Sequence, residues 1–415
     1  MTDVLDDLKA ATGGHAREAT ADDAVAGMPS RWVASPASTA ETSALVSAAA
    51  AHGLAVVARG AGTRLGWGAP PERLDLVVDT SRMDSVVEHA AGDLIVVVGA
   101  GRRLSDVQAD LARSGQRLGI DPPRSGTIGG TVATASTGPR RLFHGAVRDL
   151  VIGMRFVRAD GVAAHAGGKV VKNVAGYDLG KLLTGSFGTL GIITEVAFRL
   201  HPVPQAQRWV TAPAGDGGGI QRLVTALVHS QLVPSAVELD RTRGGATISV
   251  LVEGIAAGIE ERVAEAKALL GAEATDSEQA PAWWGTEPAS QGGVLLKVTH
   301  EIARVEQLLA ALDAAAGATG LVPMFRGSPA VGTGLVGVGA DGSTLQADTV
   351  RAFVDELRSR AGTFGGSTVV LEAPAEAREG LDHWGPVSAL DLMRAVKQQF
   401  DPDRRLAPGR FVGGI

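Results

Sequence analysis

GIDPPRSGTIGGTVATASTGPRRLFHGAVRD, residues 119–149, decides how this chain is read. Pro122 and Pro123 hold its start extended. Thr127-Ile128-Gly129-Gly130 then opens a short helix of small residues, whose first N–H groups can face an anion. Two more glycine-rich stretches lie on either side. One is built around Arg59-Gly60-Ala61-Gly62-Thr63-Arg64, and the other is GVAAHAGGKVVKNVAGYDLGKLLTGSFGTLG, residues 161–191. The windows 53–68, 115–145 and 161–191 hold 20 of the 55 glycines in 78 of 415 positions, so the glycines are concentrated rather than spread. Glycine serves left-handed turns and close approach of backbone to a ligand. Roughly one third of these glycines, Gly53 and Gly161 among them, read as plain helix stops and hairpin turns.

Outward from these loops the pattern is mixed. Residues 38–53 read as a helix capped by Ser38 or Thr39 and stopped by Gly53. Short apolar runs at 54–58, 74–79, 85–89 and 93–98 read as strands, and 104–114 as a helix with Leu104, Val107 and Leu111 on one face. Residues 150–158 form a strand that Asp160-Gly161 turns back. A short helix near 178–184 precedes a strand at 189–200, and Pro202 and Pro204 mark a boundary. Beyond it, helices at 218–231, 256–270, 303–317 and 346–361 alternate with strands at 235–240, 246–252, 293–299, 320–325, 333–338 and 367–371. The polar stretch 271–292 reads as a loop, and 386–400 as a closing helix. The fold class is α+β.

Composition excludes several classes. Zero Cys removes disulfides, thiolate metal sites and a cysteine nucleophile. A net charge of −6 gives no basic field for nucleic acid. The acidic start MTDVLDDLKA has no secretory pattern, and no apolar run is long enough to span a bilayer, so a cytoplasmic location is expected. The nine His show no metal-ligand spacing, so no metal is expected. Gly60-Ala61-Gly62 invites a dinucleotide fingerprint, but Leu65 stands where a third glycine is needed. Gly68, Pro70 and Pro71 prevent the following helix, and only Asp79, an acid about 20 residues on, fits.

Taken together, ARGAGTRLG (58–66), SGTIGGTVAT (125–134), PRRLFHGAVRDLVIGMRFVRADG (139–161), KNVAGYDLGKLLTGSFGTLGIITEV (172–196) and the tail FDPDRRLAPGR (400–410) resemble the FAD-binding domain of the vanillyl-alcohol oxidase / p-cresol methylhydroxylase (PCMH) flavoproteins. Within that family they look most like the smaller FAD-binding (E) subunit of bacterial glycolate oxidase. The resemblance implies a two-subdomain PCMH-type domain, an α+β cap, and a C-terminal segment returning to the FAD domain. The expected divisions are an N-terminal extension at 1–27, the FAD-binding domain at 28–203, the cap at 204–385 and the closing helix and tail at 386–415. It implies FAD cradled by Arg59, Gly60, Ala61, Gly62, Thr63 and Arg64, and by Pro122, Ser125, Gly126, Thr127, Ile128, Gly129, Gly130 and Thr134. His144, Gly145, Gly191, Ile192 and Ile193 complete the implied set. His144 and the arginines have packing or solvent readings as well. Without Cys, and with no His in the first loop, the flavin is expected to be non-covalent.

Related 2-hydroxyacid dehydrogenases hold the substrate carboxylate with Arg and Thr just before GYDL; Val171 and Ala175 stand at those positions here. Catalytic residues remain unassigned, Lys172 and Tyr177 being the only candidates. The resemblance therefore implies a subunit of a complex oxidising glycolate to glyoxylate, beside a larger FAD-linked catalytic subunit and an iron–sulfur subunit. Membrane association would be indirect. An autonomous FAD-linked 2-hydroxyacid oxidoreductase, and an assembly subunit binding FAD weakly, are the alternatives.

Overall fold

The helix expected over 38–53 runs Thr39–Ala51, with the Ser38 side chain accepting from the Glu41 amide and Gly53 in the left-handed region beyond its end. It belongs to the first of two units into which the computed structural model divides. That unit holds Met1–Thr137, Gly145–Val203 and Pro386–Ile415; the second holds Gly138–His144 and Pro204–Gly385. The described residues are 3–169, 177–288, 292–339, 345–378 and 380–415.

The first unit contains a four-stranded sheet ordered Ala16–Glu18, Trp32–Ala34, Leu76–Asp79, Val56–Arg59. Its last three strands are parallel, and the first is antiparallel to its neighbour. The C-terminal tail continues the sheet past Val56: the Val56 amide donates to the Arg405 carbonyl (2.7 Å), and the Ala407 amide to the Val56 carbonyl (2.8 Å). A second, antiparallel sheet is ordered Val86–Ala90, Ile95–Gly99, Ile192–Arg199, Val151–Val157, Ala163–Gly167. Leu104, Val107 and Leu111 of the helix Leu104–Ala112 pack on it, as their spacing requires. The first residues are built into this unit. Helix Val4–Ala11 buries Leu8 against the first sheet, where Ala16–Glu18 is the edge strand.

The second unit is an eight-stranded antiparallel sheet. Its order is Thr275–Ser277, Ala206–Pro213, Gly245–Gly254, Ala236–Thr242, Met324–Ser328, Thr333–Val338, Val294–Thr299, Ser367–Glu372. Helices Gly217–His229, Ile259–Leu270, Val305–Thr319 and Ala347–Gly362 cover one face, their apolar stripes sharing a core with Val210, Val237, Val250, Leu296 and Val336. The strand expected at 320–325 lies at Met324–Ser328, and two strands are absent from the sequence reading. Ala206–Pro213 lies just past the Pro202/Pro204 breaks, yet pairs with Gly245–Gly254 along its whole length. The polar loop contains Thr275–Ser277, held on the sheet edge by three residue pairs. In both, partner strands supply order that local composition does not.

His300 and His383 are buried in this unit. Burial pushes both imidazoles below their ordinary value, against the opposing pull of the Glu301 and Leu381 carbonyls. A group lowered in the folded state stabilises above its unfolded pKa, about 6.5 for His, and that stability is lost as pH falls below it. The melting temperature of the second unit should therefore drop between pH 7.5 and 5.5, and the double variant His300→Gln/His383→Gln should show a flatter dependence. Equal wild-type and variant slopes would refute this.

Candidate cofactor site

The glycine loops of the first unit frame an open cleft. Residues Arg59 to Leu65 form one wall, helix Ile128–Ala133 the floor, and Phe187, Gly188, Gly191 and Ile193 the other wall. The amides of Gly60, Ala61, Gly62 and Thr63 donate to no acceptor among the described residues. Four consecutive free N–H groups at the mouth of a cleft are a cradle for phosphate oxygens.

The second loop works differently from the sequence expectation. The amide of Ile128 donates to the Arg102 carbonyl (2.9 Å) and that of Gly129 to the Ala100 carbonyl (2.8 Å). The Gly130 amide donates to the Thr127 hydroxyl at 3.3 Å. These N–H groups are already used, so the helix start supplies shape rather than donors. Its glycines let parts of the protein meet. A Cβ on Gly60 would collide with the Thr127 hydroxyl, and one on Gly129 would stand 2.9 Å from the Ala100 Cβ and 3.1 Å from its carbonyl oxygen.

The two arginines of the first loop are structural. Arg59 is paired with Asp23 (2.9 Å) and Asp79 (2.8 Å). Arg17 holds Asp23 from the other side at 2.8 Å. The Arg17 hydrogen bond, above all, keeps the Asp23 carboxyl far below the usual range. Burial works against ionising Asp79, but hydrogen bonds from Ser81 and Arg59 hold it below its ordinary value. Asp79, the one residue that fitted a dinucleotide fingerprint, is thus an anchor for the strand entering the loop. Arg64 is buried, donates to the Arg124 carbonyl and lies over the Trp67 ring.

Of the residues expected around FAD, Arg59, Gly60, Ala61, Gly62, Thr63, Arg64, Thr127, Gly129, Gly130, Thr134, Gly191 and Ile193 line the cleft. Pro122, Ser125, Gly126, Ile128, Gly145 and Ile192 do not line it, and His144 groups with the second unit. Tyr177 is 95 % exposed, which rules out burial for packing. Lys172 lies outside the described residues. The structure adds Thr80, Ala100, Phe187, Gly188 and Arg410. Arg410 donates to the carbonyls of Leu65 (2.7 Å) and Trp67 (2.8 Å), bracing the first wall; its signal was the family-like tail 400–410. Among the described residues, no His or Cys lines the cleft.

Comparison with known proteins agrees with this geometry. Residues 30–167 match the family model described as an FAD binding domain. The fold aligns with p-cresol methylhydroxylase with substrate bound (TM-score 0.76, 15 % identity, 98 % of this chain and 96 % of that one). It also aligns with alkyldihydroxyacetonephosphate synthase (TM-score 0.68, 17 % identity, 91 % and 76 %). The chain therefore carries a PCMH-type FAD-binding domain, and FAD is its cofactor. More particularly, its near full-length similarity is to FAD-linked oxidoreductases. An uncharacterised FAD-linked oxidoreductase of Mycobacterium tuberculosis is 29 % identical over 440 residues, 94 % of this chain and 93 % of that protein. Glycolate oxidase subunit GlcE of Escherichia coli is 41 % identical over 124 residues, 29 % of this chain and 35 % of that subunit. D-lactate dehydrogenase of Archaeoglobus fulgidus is 37 % identical over 174 residues, 41 % of this chain and 38 % of that enzyme. The chain thus matches less than half the length of these last two.

Arg59→Met leaves two acids without their shared cation. Breaking a buried pair costs about 3–5 kcal/mol, and Arg59 is partly accessible, so the lower end is expected. The variant should melt earlier and purify with less flavin per chain. Gly60→Val should lose flavin through the clash with Thr127. Full flavin occupancy in both variants would refute the cradle assignment.

Proposed function

We propose that this chain is the FAD-binding subunit of a glycolate oxidase-type complex, oxidising a small 2-hydroxy acid, glycolate to glyoxylate, and passing electrons to partner subunits. The observation that carries this is the 41 % identity to the E. coli GlcE subunit, concentrated in one segment, beside matches to D-lactate dehydrogenases. FAD, when bound, supplies the acceptor for the hydride leaving the carbon that bears the hydroxyl. The free amides of Gly60 to Thr63 hold its pyrophosphate, and Gly188 and Gly191 let the backbone of the far wall approach it. The flavin is non-covalent in this reading: the chain has no Cys, and among the described residues no His lines the cleft. The partners are a larger FAD-linked catalytic subunit and an iron–sulfur subunit; a chain without Cys places any thiolate-ligated cluster on another polypeptide. Among the described residues no helix is long and apolar enough to cross a membrane, and we place the protein in the cytoplasm, reaching a membrane only through partners.

A second reading, an autonomous 2-hydroxyacid oxidoreductase, is favoured by the near full-length match to the M. tuberculosis protein. One experiment separates the two. The purified holoprotein is mixed anaerobically with glycolate or D-lactate, alone and after co-purification from its native source, and oxidised-flavin absorbance is followed. The complex reading expects fast bleaching only with co-purified partners. Equally fast bleaching by the isolated chain supports the autonomous reading. No bleaching under either condition removes 2-hydroxy acids as substrates.

A further inference from the structure

The far wall of the cleft turns sharply at residues 186–189. The Thr189 amide donates to the Ser186 carbonyl (3.0 Å), and both central residues have positive φ, +55° at Phe187 and +76° at Gly188. Two positive φ angles in succession mark a type I′ turn. Gly188 suits it and Phe187 does not. Asn, Asp or Gly is favoured at that first central position, and a bulky side chain at positive φ is a conformational outlier. The turn is nonetheless firmly fixed. The amides of Gly185 and Phe187 donate to the carbonyls of Val132 (3.0 Å) and Ala133 (2.9 Å), at the end of the floor helix. The Thr189 carbonyl accepts from the Lys397 ammonium (2.8 Å). A phenyl ring is thus held in the cleft wall against the local preference of the backbone, the kind of strain that collects at ligand sites.

The ring packs on Phe411 of the C-terminal tail, with centroids 5.7 Å apart and planes tilted by 31°. It also lines the cleft, and among the described residues it is the only aromatic side chain that does. The rest of the lining supplies backbone amides, hydroxyls, aliphatic groups and guanidinium groups. The free amides of residues 60–63 suit a pyrophosphate. A flat ring system is matched by another ring, through offset or edge-to-face stacking.

We propose that Phe187 is the stacking face for an aromatic ring system of FAD, held in place by Phe411. FAD carries two such systems, isoalloxazine and adenine, and the experiment tells them apart. The stacking role needs FAD as the cofactor and no particular substrate.

The test titrates FAD, and separately ADP, into the full chain stripped of flavin. Wild type is compared with Phe187→Tyr, Phe187→Leu and Phe187→Asn, and the melting temperature of each flavin-free protein is recorded. Phe187→Tyr keeps the ring, Phe187→Leu keeps apolar bulk without a ring, and Phe187→Asn suits the turn without a ring. Phe187→Tyr should bind FAD within about threefold of wild type. Phe187→Leu and Phe187→Asn should bind it about tenfold more weakly, the scale of one ring stack. Phe187→Asn should melt no lower than Phe187→Leu, because it relieves the turn, and should still bind FAD as weakly. ADP affinity that falls by the same factor assigns the stack to adenine. Unchanged ADP affinity beside weakened FAD binding assigns it to isoalloxazine. The proposal is overturned by equal FAD affinity in all four proteins, or by Phe187→Tyr binding as weakly as Phe187→Leu. An order of affinities that follows melting temperature and not the presence of a ring overturns it as well, and makes Phe187 a packing residue.

Discussion

The Lys397 ammonium holds the cofactor unit together. It is almost wholly buried and uses all three of its donors: to the Thr189 carbonyl (2.8 Å), the Leu406 carbonyl (2.9 Å) and the Asp401 carboxylate (2.7 Å). Asp401, fully buried, also accepts from the amides of Arg405 (3.0 Å) and Leu406 (2.7 Å). Each bond reaches a different part of the site. Thr189 lies in the wall between Gly188 and Gly191, and Leu406 lies beside Val56 at the strand leading into the first glycine loop. Removing either charge would leave the other buried and unmatched, at a cost of about 3–5 kcal/mol. The last residues of the chain thereby become part of the architecture of a cleft whose loops lie hundreds of residues earlier.

The beginning of the chain acts in the same sense. Arg17, Asp23, Arg59 and Asp79 form a continuous ion-paired group between the N-terminal segment and the sheet. This bracing answers a physical problem created by the glycines. A loop such as Arg59 to Arg64 has a large conformational entropy to lose, and its own side chains offer little to hold it. Fixing it from outside, through Arg59 at its entry and Arg410 at its exit, leaves the intervening amides aimed at the ligand and not spent on one another. Preorganised donors of this kind bind an anion without a further ordering cost.

Local signals were legible in the sequence, and partner-dependent ones were not. Ser38 and Gly53 bracket their helix, Leu104, Val107 and Leu111 mark one buried face, and Asp160-Gly161 turns Val151–Val157 back onto Ala163–Gly167, because each depends on residues a few positions apart. The glycine windows located the cleft for the same reason. Which amides are free could not be read, since Ile128 and Gly129 find their acceptors at Arg102 and Ala100, far back in the chain. Asp79 fitted the spacing of a dinucleotide fingerprint and is an ion-pair partner by geometry. Strand Ala206–Pro213 exists through its pairing with Gly245–Gly254, which no local pattern announces. Residues 138–144 follow the second glycine loop in sequence but group with the other unit.

Two lysines make the closing point about charge in this protein. Lys297 and Lys397 are both lowered by burial, and both sit among apolar neighbours. Lys397 is answered inside the fold by one carboxylate and two carbonyls, so its charge is consumed by architecture, and Asp401 pulls back against the desolvation. Lys297 makes no ion pair among the described residues, and Arg141 adds to its penalty. Leu335 and Val369 stand directly across the strands from Lys297, so the two side chains facing it are apolar.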